Sequence, residues 1–134
     1  MIFWLPKNPN VAFLLVPWFV PCGQSREDIF LETYERLRDM PDDTFVCLAI
    51  DGESDRMKGM VVAFCRYSDV FIWQARSERL ASKIVDYAFN GLCLWAKSKG
   101  YDKVTTRPNR AAKLWQRRWG FRQQPNSDLL FKEI

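Results

Sequence analysis

The chain contains no histidine. That single absence excludes Ser–His–Asp triads, Cys–His dyads, imidazole general bases and most zinc sites, so no metal is expected. Paired cysteines are lacking too: Cys22, Cys47, Cys65 and Cys93 are widely spaced, without a Cys-x-x-Cys motif. Cys47 and Cys65 lie in apolar runs, so the expectation is buried, reduced thiols in a reducing compartment. There is no long unbroken apolar run. The longest uncharged stretch, Asn8 to Ser25, is interrupted by Pro9, Pro17 and Pro21, so neither a membrane span nor a signal peptide is expected. Nor is the chain poor in apolar residues: at 48% hydrophobic and 27% charged it has the composition of a folded globular protein. Its 134 residues are enough for one domain, 1–134. What it has in excess is aromatic. Six Trp and ten Phe are more than a core this small should hold, so some rings are expected on the surface, against a partner.

The pattern of apolar positions orders the elements. Ile2 to Leu5 and Val11 to Val16 read as short strands, a hairpin or one interrupted strand, around Pro6-Lys7-Asn8-Pro9-Asn10. Ser25 is placed to cap a helix that carries Glu27 and Asp28 in its first turn and Ile29, Phe30, Tyr34 and Leu37 at helical spacing, to about Met40. Thr44 to Ile50 and Gly59 to Tyr67 read as strands joined by a turn at 51–55, and Val70 to Ala75 follows after a tight turn at Ser68-Asp69. Leu80 to Lys99 has Leu80, Ile84, Tyr87, Ala88, Gly91 and Trp95 on one face and ends at Gly100, as an amphipathic helix should. Lys103 to Thr106 is strand-like, a helix runs from an Asn109 cap to Gly120, and Asp128 to Ile134 is a last strand. Antiparallel strands followed by strand–helix–strand crossovers predict an α+β domain with a mixed, mostly antiparallel central sheet and helices on both faces.

The ending carries the most information. Asn109, Ala112, Gly120 and Phe121 fit the pattern Asn-x-x-Ala-x-x-x-Tyr-x-x-x-Gly-Phe, and the chain from about Phe13 to Ile134 resembles the GNAT N-acetyltransferase superfamily in this motif and in element order. In size and motif degeneracy it is similar to GNAT-like proteins of tailed-bacteriophage virions. The resemblance implies a fold in which a central strand splays from its neighbour and the next turn, Gln/Arg-x-x-Gly-x-Gly/Ala, wraps the acetyl-CoA pyrophosphate. Such a turn needs glycine because bare backbone N–H groups must approach phosphate. Here the turn falls on Arg76-Ser77-Glu78-Arg79-Leu80-Ala81. Arg76 and Ala81 match, and Arg79 replaces the first glycine. The candidate cofactor residues are therefore Arg76, Arg79, Ala81 and Asn109, with the two guanidiniums able to pair phosphate oxygens. The tyrosine that often serves as general acid is Gln116. No carboxylate lies on the inner strands, and Asp69 and Glu78 beside them read as turn and cap residues.

Arg107 to Arg122 holds six basic residues and no acid, against a net charge of +4 for the whole chain. Arg110, Lys113 and Arg117 share one helix face, Trp115 and Trp119 another. The stripe reads as a solvated face, a phosphate-binding surface for nucleic acid or a protein contact through Arg110, Lys113, Arg117, Arg118 and Arg122. Two functions follow. One is a GNAT-fold protein without efficient catalysis or cofactor, a structural or interaction component of a larger assembly in the cytoplasm or a virion, with a protein partner or as a homo-oligomer. The alternative is an acetyl-CoA-dependent N-acetyltransferase acting on an amine.

Overall fold

The computed structural model describes residues 1–78, 83–108 and 112–134. Over these the chain forms β1 (Ile2–Trp4), α1 (Val11–Leu15), α2 (Arg26–Asp39), β2 (Thr44–Ile50), β3 (Met57–Cys65), β4 (Val70–Ser77), α3 (Lys83–Ser98), β5 (Lys103–Thr106), α4 (Ala112–Trp119), β6 (Arg122–Gln123) and β7 (Leu130–Glu133). The strands make one sheet in the order β1-β2-β3-β4-β5-β7-β6. Only β4 and β5 are parallel, joined by the α3 crossover that a parallel pair requires; their neighbours are all antiparallel.

Alternation along β2 sorts the two cores. Phe45 and Cys47 face α3 and α4, where they join Val70, Ile72, Phe89, Leu92 and Trp119. Val46 and Leu48 face α1 and α2 and pack with Leu15, Phe19, Ile29 and Leu37. The expected mixed sheet with helices on both faces is what forms.

Several local expectations hold. Ser25 Oγ accepts from the Asp28 N–H at 3.1 Å and caps α2. Gly100 and Gly120 end α3 and α4 with φ of 87° and 73°, the left-handed conformation that glycine adopts without strain.

Others are corrected. Val11 to Val16 is not a strand but α1 followed by a 3₁₀ turn. Asn8 Oδ1 accepts from the Asn10 N–H, and the carbonyls of Asn8, Pro9 and Asn10 take the next three N–H groups, so the turn at Pro9 launches a helix. β1 pairs with β2 instead, in register Ile2 to Ile50. On α3 the buried stripe is Ala88, Phe89, Leu92 and Ala96, one step round from the expected face. Tyr87 is exposed there and stacks on Phe3 at the sheet edge, with ring centroids 4.2 Å apart. The aromatic rings divide: Trp4 and Phe13 are exposed, in line with the expectation of some surface rings, while the other five tryptophans are buried or half-buried. β6, two residues long, had no sequence signal. The Asn109 cap lies outside the described residues.

Candidate functional site

β4 and β5 pair over only three residues each, Val70–Ile72 with Val104–Thr106. Asp69 fastens this closed end: its carboxylate accepts from Arg66 Nε and Nη2, both at 2.7 Å, and from Thr105 Oγ1 at 2.9 Å. Thr106 Oγ1 adds a bond to the Ile72 carbonyl at 3.2 Å. Burial pushes the Asp69 carboxyl up, but the bonds from Arg66 and Thr105 outweigh it and hold the group below the usual carboxylate range. Beyond Ile72 the strands part. The Trp73–Ser77 half of β4 keeps β3 on one side and has no strand on the other among the described residues. A cleft of about 440 Å³ opens there. Its walls are this half of β4, Thr106 to Pro108 after β5, the loop from Val20 to Cys22 with Arg26, and Trp115 of α4.

A β-bulge directs the side chains in the cleft wall. Val62 lies opposite Gln74 and Ala63 opposite Ile72, leaving Trp73 as the extra residue. The bulge shifts the alternation by one, so Gln74 and Arg76 reach the α1–α2 side of the sheet. Buried Gln74 accepts from the Val20 N–H at 2.8 Å and donates to the Val20 carbonyl at 3.2 Å. Arg76 donates to the Pro17 carbonyl at 3.3 Å and lies over the Trp18 ring. Arg26 Nε donates to the Phe19 carbonyl at 3.2 Å. The 3₁₀ turn after α1 and the loop that follows it are thus held on the cleft through their backbone.

Three charged side chains line the cleft, Arg26, Arg76 and Arg107, and all are cationic. No aspartate, glutamate or tyrosine lines it among the described residues. Glu78, at the end of β4, is engaged by Arg56 at 3.1 Å and Lys58 at 3.2 Å. Asp69 is bound into the closed end. Both carboxylates that flank the inner strands therefore have structural partners. The Ser77 hydroxyl stands apart: its oxygen is buried and has no hydrogen-bond partner among the described residues.

Of the residues singled out by sequence, Arg76 sits in the cleft wall. Arg79, Ala81, Asn109 and Arg110 lie outside the described residues. Gln116 is exposed on α4 and does not line the cleft; its neighbour Trp115 does. Three of the six cations of the basic stripe pair with acids outside it. Arg107 pairs with Asp128 at 2.9 Å, Arg118 with Asp86 at 2.6 Å and Arg122 with Glu133 at 3.4 Å. Lys113 and Arg117 are exposed on α4 and have no acidic partner among the described residues. Asp86 also accepts from Trp119 Nε1 at 2.8 Å, and these bonds, Arg118 first, hold its carboxyl below the usual range. Sequence reading missed Arg26 and Gln74. No periodicity marks either, because a bulge and a loop bring them to the cleft. Burial pushes the Cys47 thiol up to about 11, as expected of an inert core cysteine.

A sheet whose fourth strand parts from a parallel fifth, with two helices on each face, has close counterparts among solved structures. A Clostridium acetobutylicum protein classed as an acetyltransferase and crystallised with acetyl-CoA superposes with a TM-score of 0.75, at 10% identity over 94% of this chain and 92% of its own. The PaiA N-acetyltransferase of Thermoplasma acidophilum, in complex with coenzyme A, gives 0.68 at 13% identity over 100% of both chains. A GNAT family acetyltransferase from Elizabethkingia anophelis with acetyl-CoA bound gives 0.55 at 17% identity, over 75% of this chain and 82% of its own. The chain has the GNAT fold. No protein-family sequence model matches it, and no curated protein matches it by sequence. At these identities the likeness is one of fold. No helix among the described residues is long and apolar enough to cross a membrane, and none of their acidic and cysteine side chains group as a metal site.

Proposed function

We propose that this GNAT-fold protein binds acetyl-CoA or a related acyl-CoA in the β4–β5 cleft, and that the chain contributes binding and orientation but no strong acid or base. The edge of β4 that no strand pairs among the described residues carries the reading. Backbone N–H and C=O groups from Trp73 to Ser77 border a cleft of about 440 Å³, and buried backbone polar groups need partners. An extended ligand with amides of its own can supply them by adding as a strand. The Ser77 hydroxyl in the same wall, buried and without a partner among the described residues, is a further group that a ligand can satisfy. Arg76 stands beside it, and Arg76, Arg79, Ala81 and Asn109 remain the proposed cofactor-binding residues. A domain kept only as a spacer gains nothing from holding this cleft open, since filling it would add packing.

Bound there, acetyl-CoA supplies an acetyl thioester: an amine nitrogen bonds to the acetyl carbon, the carbon–sulfur bond breaks, and the proton lost by nitrogen ends on the CoA thiol. Holding two reactants together is itself a large part of catalysis. A positioned acid or base adds roughly 10²- to 10⁴-fold, and none stands among the described cleft residues. Transfer by this protein is therefore slow, or limited to amines that arrive unprotonated. Calorimetric titration with acetyl-CoA tests the reading. We expect a micromolar dissociation constant; no heat at millimolar ligand contradicts it.

A second reading, a component of a larger assembly with a protein partner or a second copy, is favoured by exposed Trp4, Leu5, Phe13, Leu14 and Leu31. Three of the six cations of the stripe are already paired, so contact through Arg110, Lys113, Arg117, Arg118 and Arg122 is the weaker form of that reading.

A further inference from the structure

The charge lining the cleft has one sign. Arg26, Arg76 and Arg107 lie in its wall and no carboxylate does among the described residues. Glu27 and Asp28 sit beside Arg26 in the first turn of α2 but do not line the cleft. An acceptor for acetyl transfer is an amine, and near neutral pH a simple alkylamine is an ammonium ion. A cleft built for a cationic amine would carry acids, because like charges in a partly desolvated site repel. This cleft carries the opposite.

The guanidiniums also keep donors in reserve. Arg26 and Arg76 each make one hydrogen bond to a backbone carbonyl, on Phe19 and Pro17, out of five N–H groups available. Neither has an acidic partner among the described residues, whereas Arg107 shares its charge with Asp128. The two carbonyl bonds fix both guanidiniums on the α1–α2 side. Planar forks held in this way suit a carboxylate or a phosphate.

We propose that the acceptor is an amine bearing its own anionic group, a carboxylate or a phosphate, which Arg26 recognises at the cleft, Arg76 being left to the cofactor, and that polyamines are rejected. The proposal rests on the acetyl-CoA reading above. Arg26 is then a specificity residue, acting on the acceptor's anion and not on the reacting nitrogen.

Its test uses the whole chain saturated with coenzyme A, with binding read from the change in tryptophan fluorescence, to which Trp73 and Trp115 at the cleft contribute. The probes are two matched pairs, L-phenylalanine against L-phenylalaninamide and O-phosphoethanolamine against ethanolamine, together with spermidine. Within at least one pair the anionic member should bind ten-fold or more tightly, and which pair does so tells carboxylate from phosphate. Spermidine should bind most weakly. Arg26→Gln should reduce the preference at least five-fold and Arg26→Lys should restore most of it, since the charge returns without the fork. Equal binding within both pairs, or tight binding of spermidine, overturns the proposal. So does an Arg26→Gln variant that loses more affinity for acetyl-CoA than for the anionic probe, because Arg26 would then serve the cofactor's own phosphates. If the wild-type protein gives no heat with either coenzyme A or acetyl-CoA, the acetyl-CoA reading fails and takes the proposal with it.

Discussion

Asp69→Ala is the perturbation that probes the frame of the cleft. The carboxylate takes two bonds from Arg66 and one from Thr105, and Thr105 Oγ1 in turn accepts from Arg66 Nη2 at 3.0 Å. This triad ties the β3–β4 turn to β5 where the short parallel pairing begins. Hydrogen bonds to a charged group contribute about 1.5–3 kcal/mol each, and removing one partner leaves the other unsatisfied. The full penalty does not apply here: the Arg66 side chain is 37% exposed and lies over the Phe71 ring, so water and the ring retain part of its solvation. A net loss of about 2–3 kcal/mol is expected, against a total stability of roughly 5–15 kcal/mol for a domain of ordinary size. Urea unfolding at pH 7 measures it as a lower midpoint at unchanged slope. The pH dependence has a definite sign. The folded carboxyl titrates below its unfolded value of about 3.9, so its stabilisation is present above that pH and disappears as the pH falls through the lower folded value. The gap between wild type and Asp69→Ala should therefore narrow in acid below about pH 4. A loss under about 0.5 kcal/mol at pH 7, small against what a charged hydrogen bond contributes, or a gap that stays constant into acid, refutes the role assigned to Asp69.

Gln74→Ala removes both bonds to the Val20 backbone; faster amide exchange at Val20 and a stability loss of about 1–3 kcal/mol are expected. Trp119→Phe keeps the ring in the core but strips the indole N–H from Asp86, and denaturation should show a loss of about 1 kcal/mol. Gly120→Ala places a Cβ 3.2 Å from Lys132 Nζ at a φ of 73°; the lysine tip can move, so the left-handed backbone dominates, costing roughly 1–2 kcal/mol as a lower melting temperature. Gln116→Tyr, which puts the superfamily's acid at an exposed position outside the cleft lining, should leave any acetyl transfer within about two-fold, far short of the 10²- to 10⁴-fold of a placed general acid, as measured by thiol release.

What could be read from sequence was governed by local chemistry. The Ser25 cap and the glycines at 100 and 120 act within a few residues of themselves, and each was found where expected. The alternation that sorts β2 between two cores is equally local. Val11 to Val16 misled because a short run that is apolar throughout has no period; burial of Val11, Ala12 and Leu15 with Phe13 and Leu14 exposed is a helical pattern visible only once packed. The ion pairs of the basic stripe were not legible for the opposite reason. Their acids, Asp86, Asp128 and Glu133, lie outside the stripe, brought to it by α3 and by the β7 segment. In the cleft, the splay was implied by the family resemblance, and Arg76 was placed by its motif. Gln74 and Arg26 were not legible, because the bulge at Trp73 that turns β4 toward the loop leaves no mark in composition or spacing.

The claim that β4 keeps an open edge for an acyl-CoA is tested most directly by following the backbone amides of the isotope-labelled protein during titration with acetyl-CoA. Saturable shifts concentrated from Trp73 to Ser77 and at Thr106 and Arg107, with the amides of β1 and β2 unmoved, are the predicted result. No shift at millimolar acetyl-CoA, or shifts confined to surfaces away from the β4–β5 cleft, would contradict it.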